Sequence, residues 1–392
     1  MHLCLFVQSS LGLLRHDKLK AYRTSPMNEV VPHTGSELPL KYNWSLSEIE
    51  CLYTLALPEL IFRAQSIHRA HYRNDEVQGC ALLSVKTGGC PEDCGYCPQS
   101  VHYETELKAT ALTSVEETVE RARNAKAAGA TRFCMGAAWR DLPDGKAFEQ
   151  VLRMVTSVRA LGLEACCTLG MLTDQQAESL AEAGLMAYNH NLDTSPEFYS
   201  KIITTRTYSD RLQTLDRVRR AGITVCCGGI IGMGEDPRDR WSLLQQLSRL
   251  RPHPESVPIN LLVRVKGTPL CDAQPLDRFE LVRTIATARV LMPHSMIRLS
   301  AGRLELSDET QALCFIAGAN SIFLGEQLLT TPNPEVGKDL FLLSKMGMRL
   351  QRLSVRQELK QAEPPKPVTN DFLDSLNTYF SESETGERIR KG

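Results

Sequence analysis

Eight short β-rich runs, separated by stretches with helical spacing, constrain the fold of this chain more than any other feature. The runs are CALLSVK (80–86), RFCMGAA (132–138), EACCTL (164–169), AYNHNLD (187–193), TVCCGGII (224–231), SVPINLLV (256–263), MIRLSAG (296–302) and SIFLGE (321–326). Strands that alternate with helices return to the sheet through helical crossovers, which makes the sheet parallel. Eight such units predict an α/β fold of the TIM type, a (β/α)8 barrel, complete or partly open, with its working residues inside and at the C-terminal mouth. Intervening segments such as SVEETVERARNAKAAGA and DRLQTLDRVRRAGI end at a glycine, as helix C-termini commonly do.

The 392 residues suit one barrel over 41–355, with an N-terminal extension over 1–40 and a C-terminal tail over 356–392. The tail is rich in Pro, Glu and Ser and is expected to be flexible. The extension carries Arg15, Lys18, Lys20 and Arg23 against Asp17. It is either a targeting presequence, which would make the protein mitochondrial, or the product of an upstream start with Met27 as the true beginning. Otherwise the expected location is cytoplasmic. A net charge of -1 attracts neither nucleic acid nor anionic lipid, and no run reaches the roughly eighteen apolar residues that span a bilayer. Thirteen cysteines without a signal peptide indicate a reducing compartment, where thiols serve as metal ligands, catalytic groups or small buried hydrophobes.

Three of these thiols, Cys90, Cys94 and Cys97 in GGCPEDCGYCPQS, follow the first strand and so fall in a loop over the mouth. Three thiolates suit a four-iron cluster and leave one iron open for chemistry. A zinc knuckle is the alternative, with His102 the nearby candidate for a further ligand. Cys4, Cys51, Cys80, Cys271 and Cys314 stand alone and are expected to be ordinary core or surface residues.

Successive strand residues point to opposite faces, and the helix-covered outer face must be apolar. Alternation therefore puts Cys166 and Thr168 in the lumen against Cys167 and Leu169 outside, and Thr224, Cys226 and Gly228 in the lumen against Val225 and Cys227. It also turns Arg132, Cys134, Gly136, Arg298 and Ser300 inward, with Ser84, Lys86, Asn189, Asn191, Asp193 and Asn260, while His190 and Leu192 face out. So polar an interior predicts a cavity for cofactor and substrate rather than the usual Val/Ile/Leu filling.

The C-x3-C-x2-C motif after a first barrel strand resembles the radical S-adenosylmethionine (SAM) superfamily, and GGIIGMGE (228–235) is similar to its adenosine-contacting strand. In order and spacing, KTGGCPEDCGYCPQS, TRFCMGAAW, EACCTLG, YNHNLDTSPEFY, ITTRTY, VPINLLVRVKGTPL, RLSAGR and TTPNPE resemble the biotin synthase family over roughly 45–345. The resemblance implies a [4Fe–4S] cluster on Cys90, Cys94 and Cys97 that binds SAM at its open iron and yields a 5′-deoxyadenosyl radical. It also implies a [2Fe–2S] cluster on Cys134, Cys166, Cys226 and Arg298 as the sulfur donor. The activity implied is that of a sulfurtransferase that closes the thiophane ring of biotin on dethiobiotin, with two SAM consumed per product. On the same basis Tyr96, Asn191, Asp193, Arg211 and Ile230 contact SAM, and Asn191 and Asn260 contact the substrate's ureido ring. A homodimer and a low-potential electron donor of flavodoxin or ferredoxin type are implied as well. Two alternatives stay open. One is another sulfur inserter of the lipoyl synthase kind, whose additional N-terminal cysteine motif is not found here; the other is a non-catalytic iron–sulfur or zinc protein.

Overall fold

The computed structural model describes residues 40–352; the expected N-terminal extension, apart from Leu40, and the expected C-terminal tail lie outside them. In chain order the elements are α1 (Leu46–Tyr53), α2 (Leu57–His71), β1 (Glu76–Lys86), α3 (Val115–Ala127), β2 (Arg132–Ala137), α4 (Lys146–Ala160), β3 (Glu164–Thr168), α5 (Asp174–Glu182), β4 (Ala187–Asn189), α6 (Pro196–Tyr199), α7 (Tyr208–Arg220), β5 (Thr224–Cys226), β6 (Gly229–Ile231), α8 (Pro237–Arg249), β7 (Ser256–Leu261), α9 (Arg278–Leu291), β8 (Met296–Leu299), α10 (Asp308–Ile316), β9 (Ser321–Leu324), α11 (Val336–Lys345) and β10 (Arg349–Leu350).

The strands pair in parallel in the order β1-β2-β3-β4-β5-β7-β8-β9, and β9 returns to β1, so the barrel is closed. All eight expected runs take a place in this ring. One run differs from expectation: 224–231 is two strands, β5 and β6, which pair in turn with β7. At the break a Cβ on Gly228 would stand 1.9 Å from the Pro258 carbonyl oxygen, and Pro258 has no N–H to give across the ladder. The Gly228 N–H goes instead to the Asn191 side chain, 3.1 Å away. The short β10, which alternation had not indicated, adds to the start of β1 at Glu76 and Val77.

Local chemistry sets the helix ends. Thr207 caps α7 by accepting from the Asp210 N–H, while Asp210 reaches back to the Thr207 N–H at 2.9 Å. Beyond α3 and α7, Gly129 and Gly222 take left-handed backbone angles, φ 96° and 78°, that only glycine adopts freely. The apolar stripes of the helices face the outer side of the sheet, where Cys167 and Cys227 are buried among them. A separate inner cluster holds Cys80, Cys134, Cys166, Ala187, Phe323 and Leu328. No helix of the described residues is long and apolar enough to cross a membrane.

The helical shell buries two neutral histidines, His68 on α2, which packs on α9, and His253 before β7. Burial holds each at about 4, helped at His68 by the Arg289 charge. In the unfolded chain both titrate near 6.5. Folded-state values below the unfolded value mean that their contribution is complete above pH 6.5 and is lost as pH falls toward 4. Urea midpoints should fall across that window by an amount equivalent to roughly 2–3 kcal/mol per histidine. A chain carrying His68→Gln and His253→Gln should lose less, and a pH-independent midpoint would contradict this.

Candidate active site at the barrel mouth

The cysteine loop leaves β1 through Gly88 and Gly89, both left-handed at φ 69° and 68°. Its path is pinned from the far side of the mouth. The Asp93 carboxylate accepts the N–H groups of Thr204 at 2.9 Å and Thr205 at 3.2 Å, and the Gly95 N–H donates to the Ile202 carbonyl at 2.9 Å. Burial raises the Asp93 carboxyl, but these threonine hydrogen bonds outweigh it and hold the group at about 2, ionised and able to keep accepting. Cys94 is buried, Cys90 and Cys97 are half-buried, and all three thiols are free. Burial pushes Cys94 up to about 11 and Cys97 to about 12, and raises Cys90. The bare loop therefore keeps its protons, and metal binding must expel them.

The donor set fits an iron–sulfur cluster. Three soft thiols share one short loop, Cys97 on the pocket wall, and Arg206 lays a guanidinium 4.0 Å from the Cys94 sulfur, where it offsets negative charge. Among the described residues no group of three His, Cys, Asp or Glu side chains is placed to hold a single metal ion. A cluster spreads its thiolates over separate irons. His102 Nε2 lies 2.9 Å from the Pro91 carbonyl oxygen, so that nitrogen is already engaged.

Deeper in the lumen stand Cys134, Cys166, Cys226 and Arg298, all buried. Cys134 and Cys166 sit opposite each other on β2 and β3, and a hydrogen bond to Cys166, with burial, raises the Cys134 thiol well above its usual range. Arg298 Nη1 lies 3.7 Å from the Cys226 sulfur and Nε donates to Ser321 Oγ at 3.0 Å, while the guanidinium rests 4.6 Å from the Phe323 ring centre. Asn189 Nδ2 also approaches the Cys226 sulfur, at 3.2 Å. The neighbouring Cys167 and Cys227 point into the outer core, out of reach of this group. Three buried thiols and the guanidine group of Arg298 make a donor set suited to a second cluster.

Between the two thiol groups lies a cleft of about 1000 Å³ including its mouth, lined by Tyr96, Cys97, Cys134, Asn191, Cys226, Ile230, Asn260 and Arg298 among others. Asn191 Oδ1 is fixed by the Gly228 N–H, and Asn260 is fixed at both ends, Nδ2 to the Gly229 carbonyl at 3.0 Å and Oδ1 from the Ala301 N–H at 3.2 Å. Cys90, Cys94, Cys166, Asp193 and Arg211 are not on the wall. Asp193 lies behind it, 2% exposed, and is the one non-glycine of the described residues with positive φ, at 66°. Aspartate tolerates that conformation better than most residues, and such strain gathers where a side chain must be aimed. The Asp193 carboxylate accepts from Tyr96 Oη at 2.7 Å and from Arg211 Nη2, and Arg211 Nε donates to Tyr199 Oη at 2.7 Å. The Ile230 N–H donates to the Asp193 carbonyl at 2.7 Å, which ties β6 to the end of β4.

Gly228 is the pivot of this arrangement. Gly228→Ala should cost about 3 kcal/mol or more, because the added methyl meets backbone rather than a movable side chain. A urea midpoint equal to that of the unaltered chain would contradict it.

Residues that sequence reasoning passed over also reach the site. Cys80, expected to be an ordinary core residue, faces the lumen, where Arg298 Nη2 donates to its sulfur at 3.2 Å. Its even position, shared with Ser84 and Lys86 on β1, was the signal that could have found it. Arg206 lay inside the quoted ITTRTY stretch without a role. Arg132, which alternation had turned inward without a role, makes a two-pronged ion pair with Glu164, at 2.9 and 2.6 Å.

Known proteins resemble this chain in sequence and in fold. Residues 84–247 match the family described as Radical SAM superfamily, and 258–349 match the Biotin and Thiamin Synthesis associated domain. The chain is 60% identical over 319 residues to a biotin synthase of Myxococcus xanthus, covering 81% of this chain and 92% of that protein. It is 62% identical over 310 residues to a biotin synthase of Nitrosococcus oceani, covering 79% and 90%. Among solved structures, methylornithine synthase superposes with a TM-score of 0.68 at 20% identity over 82% of this chain and 97% of that one, a likeness of fold. On the strength of sequence identity across nearly the whole length of these relatives, the chain belongs to the biotin synthase family of radical SAM enzymes.

Proposed function

We propose that this chain inserts sulfur into dethiobiotin, with a [4Fe–4S] cluster on Cys90, Cys94 and Cys97 and a [2Fe–2S] cluster on Cys134, Cys166, Cys226 and Arg298. The observation that carries the proposal is the single cleft whose wall includes members of both thiol groups, Cys97 on one side and Cys134, Cys226 and Arg298 on the other. When bound, the first cluster and SAM supply a primary carbon radical able to take hydrogen from an unactivated C–H bond, and the second cluster supplies sulfide.

The protein's own work is positioning and exclusion of water. Tyr96 and Ile230 offer an aromatic and an aliphatic surface for adenine. Asp193 and Arg211, paired with each other behind the cleft wall, hold Tyr96 in place through its hydrogen bond to the Asp193 carboxylate. Asn191 and Asn260 present amide groups to the ureido ring. Their fixed hydrogen bonds mean that little rotational freedom remains to be lost on binding. Arg298 as a ligand offers a neutral guanidine nitrogen, and the Arg132 guanidinium nearby offsets thiolate charge in the lumen. A low-potential donor of flavodoxin or ferredoxin type supplies the electron, and the working unit is a homodimer.

The test is anaerobic incubation of reconstituted protein with SAM, a low-potential reductant and dethiobiotin, with 5′-deoxyadenosine and biotin followed together by mass spectrometry. Both products are expected from the unaltered chain, and Cys166→Ala should lose biotin alone. Deoxyadenosine without biotin from the unaltered chain would reject the substrate, and neither product from cluster-loaded protein would reject the chemistry.

A further inference from the structure

Cys80 belongs to neither set of cluster residues, yet its side chain is completely buried in the same inner cluster as Cys134 and Cys166. One guanidinium spans it and a proposed ligand, with Arg298 Nη2 at 3.2 Å from the Cys80 sulfur and Nη1 at 3.7 Å from that of Cys226. A second guanidinium faces the same place. Arg132, 3% exposed and anchored by Glu164, leaves Nη1 without a hydrogen-bond partner and stands near enough to Cys80 and Cys166 to interact with their charge. The remaining neighbours of the Cys80 sulfur are Gln78 Oε1 at 3.5 Å and Ser321 Oγ at 3.6 Å, hard oxygen atoms that compete poorly for iron held in sulfur.

We propose that Cys80 is a reserve ligand of the lumen cluster, able to take the iron position of Arg298. This rests on the two-cluster reading above. Thiolate is the ordinary ligand of an iron–sulfur cluster and guanidine is not, so the exchange moves iron toward its preferred donor. The step balances. The iron–Nη2 bond breaks, an iron–Sγ bond forms, and the Cys80 thiol proton passes to the released Nη2, with no change in electrons. Arg298, then cationic, and Arg132 offset the charge of the fourth thiolate. A reserve thiolate of this kind keeps iron in the barrel after sulfide has left with the product.

The test compares full-length, reconstituted chains by Mössbauer spectroscopy and iron content under anaerobic conditions, with circular dichroism as the check of folding. Arg298→Ala should retain its lumen cluster with an all-thiolate spectrum, and adding Cys80→Ser should reduce that cluster to less than half. Equal occupancy with and without Cys80, or loss already in Arg298→Ala, would overturn the proposal. Should Arg298→Ala not fold, Cys80→Ser alone decides: against an iron chelator it should release lumen iron about tenfold faster than the unaltered chain, and equal rates overturn the proposal. Cys134→Ala separates the two failures. If it keeps the lumen cluster intact, the cluster assignment itself fails; if it loses the cluster while Cys80 changes nothing, only the reserve role fails.

Discussion

Cys94→Ala should yield neither 5′-deoxyadenosine nor biotin, a fall on the order of a thousandfold or more, because the cofactor carries the hard chemistry and residues 88–105 hold no cysteine beyond Cys90, Cys94 and Cys97 to replace it. Cys94 is the most buried thiol of its loop, and its sulfur faces the Arg206 guanidinium. The loop is pinned independently of any metal by Asp93 and by the Gly95 pairing to Ile202, so the variant should fold with a near-normal urea midpoint. Activity and stability thus separate. Iron content should drop by the share of one cubane cluster while the lumen cluster remains. Retained SAM cleavage in Cys94→Ala would contradict the loop assignment.

The second large effect concerns Asp193. Asp193→Ala leaves the Arg211 guanidinium 4% exposed and without its carboxylate, and removing one partner of a buried pair costs about 3–5 kcal/mol. Tyr96 loses its acceptor as well, and alanine at φ 66° adds about 1 kcal/mol of backbone strain. Asp193→Asn keeps shape and tolerance of that conformation and should cost less. Asp193→Ala combined with Arg211→Met should recover part of the loss, because no charge is then left stranded. Urea melts of the three variants give the comparison, and Asp193→Ala within 1 kcal/mol of the unaltered chain would contradict it.

Much of the barrel was legible because its signals are local. Alternation depends on the strand alone, so it separated Cys166 from Cys167 and Cys226 from Cys227, and the structure puts the second of each pair in the outer core. The break between β5 and β6 was not legible. It arises from the approach of Gly228 to Pro258 on a strand that comes later in the chain, and nothing within 224–231 encodes that contact. The two-residue β10 is too short to show a period. Cys80 illustrates a third limit. Its parity was readable, but what sets it apart is Arg298, 218 positions away, and only the closed barrel brings them together. Asp193 by alternation alone read as one more lumen polar group, to which the family resemblance added a SAM contact. Its left-handed backbone and its buried partner on α7 appear only in three dimensions.

The central claim is that the lumen thiols hold the sulfur that enters the product. The most direct measurement reconstitutes the chain with heavy-isotope sulfide, removes free sulfide, and follows the sulfur isotope in biotin formed during a first turnover. The account predicts biotin carrying the heavy label, with the label absent from any product of Cys134→Ala. Unlabelled biotin from a fully labelled cluster would contradict it.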